Sequence, residues 1–98
     1  MVTNKRTVWE VAEDVRQIVH DLNLPRWHPK VEISCLVGLR SVELEILSPT
    51  RRETLQVVKT ITHRLRQRYP DWRDFLQVSL EDGRAVMVID QEHILETF

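Results

Sequence analysis

The sequence predicts an α+β fold, a two-layer sandwich ordered αββαββ, with a four-stranded antiparallel sheet and two helices on one face. Three observations predict it. Two stretches, 7–22 and 50–69, repeat apolar residues at helical spacing. Each is followed by two short runs that alternate apolar and polar residues around a glycine-bearing turn, the signature of a half-buried hairpin. The halves 7–47 and 50–90 also resemble each other, since Leu24-Pro25-Arg26-Trp27 and Tyr69-Pro70-Asp71-Trp72 stand at equivalent places between helix and hairpin. Packing both helices on one sheet face is the simple way to bury their apolar stripes.

The first helix starts at Thr7, which with Glu10 three residues later forms a capping box. Val8, Val11, Ala12, Val15, Ile18, Val19 and Leu22 share one face, and Asn23 followed by Pro25 ends the helix. Trp9 falls toward Glu13, Arg16 and His20, where it is expected to lie over the edge of the core; an interface anchor is the alternative. Two prolines make residues 23–30, NLPRWHPK, a short stiff connector.

Val31, Ile33, Cys35 and Val37 then alternate with Glu32, Ser34 and Leu36, and residues 41–47 alternate again with Val42, Leu44 and Ile46 on one side. A type II′ turn at Gly38-Leu39 would pair Cys35 with Val42, Ile33 with Leu44 and Val31 with Ile46, all on one face. It would also set Glu32 opposite Glu45, a like-charge pair costing a few tenths of a kcal/mol.

Ser48 reads as the N-cap of the central helix with Pro49 in its first turn, while Thr50 with Glu53 offers a competing box. Leu55, Val57, Val58, Ile61, Leu65 and Tyr69 form the buried side, and Pro70 stops the helix. In the second hairpin Leu76, Val78 and Leu80 alternate with Gln77 and Ser79. A type I′ turn at Asp82-Gly83 sets Leu80 against Ala85, Val78 against Met87 and Leu76 against Ile89. Trp27 and Trp72 are expected to plug the same end of the two helix-sheet junctions. Asp90 is placed to cap a terminal helical turn through His93, Ile94 and Leu95, with a continued strand as the alternative.

Ninety-eight residues with 42% hydrophobic content suit one domain, 1–98, able to bury about two-thirds of its unfolded surface. Met1–Arg6 is polar and no run approaches the roughly 20 apolar residues of a membrane span, so a cytoplasmic chain without leader or anchor is expected. A single cysteine, Cys35, excludes an intramolecular disulfide and argues against a cysteine-built metal site. His20, His28, His63 and His93 are scattered, with no His-x3-His spacing, and Cys35 is expected to face the core as an inert thiol. The expectation is therefore a protein with no catalytic residues, no metal and no cofactor.

What remains is sorted charge. Residues 50–69 hold six basic residues against Glu53 alone, net +5 in a chain of net −1, whereas residues 74–98 carry net −5. Arg51, Arg52, Lys59, His63 and Arg66 are the candidate anion- or partner-binding residues. Arg51 and Arg52 occupy a first helical turn, where the dipole disfavours cations and free N–H groups suit an anion. Nucleic acid or a phosphate ligand is the alternative partner, but no exposed aromatic residues interleave the stripe and no glycine-rich loop accompanies it. The acids of 74–98 either satisfy the helix internally or steer self-association.

Val86 and Val88 alternate with the inward residues, so they face away from the helices beside Gln77 and Ser79, with Leu36 on the neighbouring hairpin. They are the candidate dimer interface, with residues 94–98 folding across the partner. The functional expectation is a small non-enzymatic protein-interaction module, a homodimer or a subunit of a larger assembly.

Overall fold

A computed structural model of the chain describes residues 6–72, 74–89 and 94–95. The elements in order are β1 (Arg6–Thr7), α1 (Val8–Asp21), α2 (Leu24–Trp27), β2 (Glu32–Val37), β3 (Val42–Leu47), α3 (Arg51–Arg68), β4 (Leu76–Glu81), β5 (Arg84–Ile89) and β6 (Ile94–Leu95). The main sheet has four antiparallel strands in the order β2-β3-β5-β4, and β1 pairs in parallel with β6. The two hairpins thus meet through their second strands, and the order reads the same from either edge.

Thr7 caps α1 through the expected box: its hydroxyl accepts from Glu10 N–H at 3.2 Å while Glu10 Oε1 accepts from Thr7 N–H at 3.3 Å. Asn23 follows the C-cap with φ 49°, a left-handed position that asparagine tolerates and that ends the helix. Pro25 does not keep the next segment extended as expected. It sits in the first turn of α2, where its missing N–H costs nothing, so the connector contains one helical turn.

α3 is capped by Thr50 and not by Ser48: Thr50 Oγ1 accepts from Glu53 N–H at 3.2 Å. Ser48 has another task. Its N–H donates to Gly83 O at 2.8 Å, and its hydroxyl lies 2.7 Å from that of Thr54, a fully buried polar residue that also donates to Thr50 O. The start of α3 is thereby tied to the turn of the second hairpin.

The second hairpin has the expected register, with Leu76, Val78 and Leu80 opposite Ile89, Met87 and Ala85. Its turn is not type I′, because of the central pair only Gly83 takes a positive φ, +68°. The first hairpin is shifted by two residues: Val37 pairs with Val42, Cys35 with Leu44 and Ile33 with Ile46 across a loop of residues 38–41 closed by Gly38 N–H to Ser41 O at 2.8 Å. The expected tight turn would have placed Arg40 opposite Val37 on the inner face. The longer loop removes that cation and keeps the same residues inward, since a two-residue shift preserves the face. Ser34, not Glu32, stands opposite Glu45, so the expected like-charge pair is absent.

The core lies between the central strands and the helices. Val42, Leu44 and Ile46 of β3 and Ala85, Met87 and Ile89 of β5 are at most 1% exposed, beneath Val8, Val11, Ala12 and Val15 of α1 and Val57, Val58, Ile61 and Leu65 of α3. At about 1.5–3 kcal/mol for each large side chain buried, these positions dominate the fold's stability. The two tryptophans expected to be equivalent differ. Trp72 is buried and stacks on Tyr69 with ring centroids 4.1 Å apart, whereas Trp27, on the last residue of α2, is 66% exposed. Trp9 is exposed as well and does not cover the core edge.

Candidate functional site

The side of α3 away from the sheet is formed by Arg52, Gln56, Lys59, His63 and Arg66, all exposed, because the buried residues of this helix lie within one arc about Thr54, Val57, Val58, Ile61 and Leu65. Arg51 is exposed on the flank nearer β4. The candidate residues Arg51, Arg52, Lys59, His63 and Arg66 are therefore all exposed on one helix, the last four on its outer side and Arg51 at its N-terminal end. None of them forms an ion pair among the described residues. Among the described residues Arg68 is the cation of α3 with a carboxylate partner: it donates to Asp14 Oδ1 at 2.9 Å, while Tyr69 Oη donates to Asp14 Oδ2 at 2.6 Å. Asp14 thus joins the end of α3 to α1. Burial, reinforced by this hydrogen bond to a carboxylate, pushes the Tyr69 phenol well above its ordinary range. The single acid of α3, Glu53, lies 3.6 Å from His28 Nδ1. Among the described residues the acids of 74–98 make no ion pair with α3; Arg84, their one base, binds Glu45 of β3 through two nitrogens at 2.8 and 3.1 Å.

Val86 and Val88 lie on the open face of the sheet, and both are half-buried. Val88 stands between Glu43 of β3 and Gln77 of β4, and Val86 between Glu45 and Ser79. The apolar strip is therefore two residues long and bounded by carboxylates.

A larger uncovered apolar region lies on the other side of the sheet, at an edge. α1 packs over β2 and β3, and α3 over β3 and β5, which leaves the helix-facing side of β4 only partly roofed. Leu76 is packed against the aromatic cluster of Tyr69, Trp72 and Phe75. Beyond it Val78 is 42% exposed and Leu80 37% exposed, so the expectation that Val78 is buried like its partner Met87 fails at the edge. From Leu76 to Leu80 the strand carries no charge, no proline and no bulge in its pairing with β5, none of the features that usually block an open edge.

No family model, curated protein or solved structure matches this chain.

Among the described residues no group of three or more histidine, cysteine, aspartate or glutamate side chains is arranged to hold a metal ion. Cys35 lines an apolar cavity of about 220 Å³ under α1 with Val15, Val19, Ile33 and Leu44. Burial raises its thiol pKa and Arg16 opposes this, so the thiol form prevails and the side chain acts as a small hydrophobe. No described helix is long and apolar enough to cross a membrane. Two surface features escaped the sequence reading, the exposed edge of β4 and the exposed Trp27. Alternation assigns a face to each strand residue, but it is silent on whether a helix reaches that strand.

Proposed function

We propose that this chain is a non-enzymatic interaction module that self-associates, through antiparallel pairing of β4 with β4 of a second copy. The observation that carries this reading is the edge itself, a strand uncharged from Leu76 to Leu80 whose helix-facing Val78 and Leu80 remain exposed. With the twofold axis at Val78, Leu76 of each copy stands opposite Leu80 of the other and Gln77 opposite Ser79. From Leu76 to Leu80 every apolar residue then meets an apolar residue and every polar residue a polar one, with Glu81 beyond them opposite Phe75, so the five central positions are self-complementary. Strand addition also satisfies the edge backbone groups that water now serves, and removing the exposed halves of Val78 and Leu80 from water contributes about 1 kcal/mol each. We place the interface here and not at Val86 and Val88 because a twofold on the open face would bring Glu43 and Glu45 of both copies under cover together.

Sedimentation equilibrium at micromolar concentration is the test. We expect a dimer, conversion to a folded monomer by Val78→Lys, and no change of association with Val86→Lys plus Val88→Lys. A monomeric wild-type protein overturns the proposal. A Val78→Lys protein that still dimerises overturns the surface, and a monomeric double variant moves the interface to the open face.

A further inference from the structure

The absence of an aromatic residue beside the basic stripe is what counts against nucleic acid in the sequence, and the structure supplies one. α2 lies along the flank of α3 remote from β4. There Trp27, 66% exposed, borders a cavity of about 230 Å³ with Leu22, Leu24, His28, Val57 and Thr60. Val57 and Thr60 form the α3 wall of this cavity, and the helix neighbours of Thr60 one turn on are His63 and Arg64. Arg26 stands over the indole, its guanidinium carbon 5.2 Å from the ring centroid, which holds the ring in place and adds a further cation. Arg52, Lys59, Arg64 and Lys30 are exposed and free of ion pairs among the described residues, while of the acids at this end Glu53 faces His28 and Asp21 accepts from Gln17. A solvent-facing indole beside a cavity large enough for one planar ring thus adjoins a ridge of unpaired cations. Arg64 stands on the cavity's flank of α3 with Arg52 and Lys59 on its outer side, whereas Arg66 turns to the far flank and borders Leu76 of β4; Arg52 to Arg64 spans roughly 18 Å at about 1.5 Å per residue.

We infer that this surface binds single-stranded nucleic acid, with a base stacked on Trp27 and the backbone phosphates following the cations of α3. Stacking on an aromatic side chain beside a basic track is the general mode of single-strand recognition, and it needs an unpaired base, which duplex DNA does not offer. A lipid surface fits less well, because Trp27 is a single exposed anchor and the outer residues Arg52, Gln56, Lys59, His63 and Arg66 add nothing apolar to insert beside it. The surface lies across α3 from β4, so it functions in monomer and dimer alike.

The test is fluorescence anisotropy of a labelled oligothymidine at low and rising salt. Contact with about three phosphates predicts a log–log salt slope of about −2, at roughly 0.7 per single-strand contact. Trp27→Ala should weaken binding about tenfold at fixed salt with the slope unchanged, the loss of one stacked base. Arg52→Ala with Lys59→Ala and Arg64→Ala should flatten the slope. Both sets of positions are exposed, and circular dichroism together with unchanged sedimentation of Trp27→Ala reports that the fold and the β4 contact persist. No binding at low salt overturns the inference, as does Trp27→Ala binding like wild type. Competition by polyphosphate as effective as by unlabelled oligonucleotide reduces the surface to a general polyanion patch and overturns the base-stacking assignment. Tighter binding of polyglutamate assigns the surface to an acidic protein partner instead.

Discussion

Tyr69 shows how one residue can serve the core and a polar joint together. Its ring stacks on Trp72, meets Phe75 edge-on at 6.0 Å, and has Arg6 5.8 Å from its centroid, while its hydroxyl reaches Asp14. The aromatic packing follows from its place at the end of the apolar face of α3. The hydrogen bond follows from α1 bringing Asp14 across a separation of 55 residues. Tyr69→Phe keeps the ring and removes the bond, and should cost about 2 kcal/mol, the usual worth of a hydrogen bond to a charged group, while Arg68 still pairs with Asp14. The pH dependence has a definite sign. The folded phenol pKa lies above the unfolded value of about 10, so its stabilisation is complete below that pH and is lost as pH rises beyond it. Thermal denaturation across the alkaline range should show a lower melting temperature for Tyr69→Phe at neutral pH and a shallower alkaline decline than wild type. Equal alkaline slopes would remove Tyr69 from the account.

At the scale of elements, the turn of the second hairpin is tied to the segment leading into α3 where Gly83 meets Ser48. Gly83 has φ +68°, and a Cβ built there would meet Ser48 O at 2.6 Å, a backbone atom with no freedom to withdraw. The same contact carries the hydrogen bond from Ser48 N–H to Gly83 O. Turn strain and clash therefore add, and Gly83→Ala should destabilise by about 1–3 kcal/mol in urea unfolding. A positive φ alone would be relieved by asparagine, which tolerates this region, so Gly83→Asn remaining as unstable as Gly83→Ala is the signature expected if the Ser48 contact matters. If Gly83→Asn regains wild-type stability, the close approach is unimportant. Ser48 itself illustrates competition between neighbouring caps. Both Ser48 and Thr50 suit an N-cap, and Thr50 takes the role because Ser48 is held by the hairpin and by Thr54.

For the whole molecule the governing fact is that two helices roof four strands unevenly. Met87 and Val78 are cross-strand partners on the same face, yet Met87 is fully buried and Val78 is 42% exposed. Met87→Asp should prevent cooperative folding, since an unpaired buried carboxylate costs several kcal/mol. Val78→Asp should leave a cooperatively folded protein, because its carboxylate can reach water, and should lose only the concentration-dependent part of the melting temperature that pairing of β4 supplies. Similar losses for both would mean that β4 is covered after all. The same unevenness gives the molecule two separated surfaces, the β4 edge on one flank of α3 and the Trp27 cavity on the other, with the cation ridge between them.

The sequence by itself determined whatever depends on short-range periodicity and local chemistry. The αββαββ order, the Thr7 capping box, the inward residues of all four strands and the second hairpin's register follow from spacing, caps and a two-residue glycine turn, which act over a few residues. The exposure of Arg52, Lys59, His63 and Arg66 follows in the same way, because a helix that buries one arc exposes the other, and Arg51 is exposed as the first residue of the helix. Only the tertiary structure decided the rest. The first hairpin's register depends on keeping Arg40 out of a core that exists only once the helices are packed. Trp27 and Trp72 share a local motif, but one meets Tyr69 and Phe75 while the other ends a helical turn facing water. Whether an inward residue is buried depends on the reach of a helix anchored elsewhere, so Val78 and Val42 have the same pattern and opposite burial. Both candidate surfaces arise from that long-range placement, which no window of sequence contains.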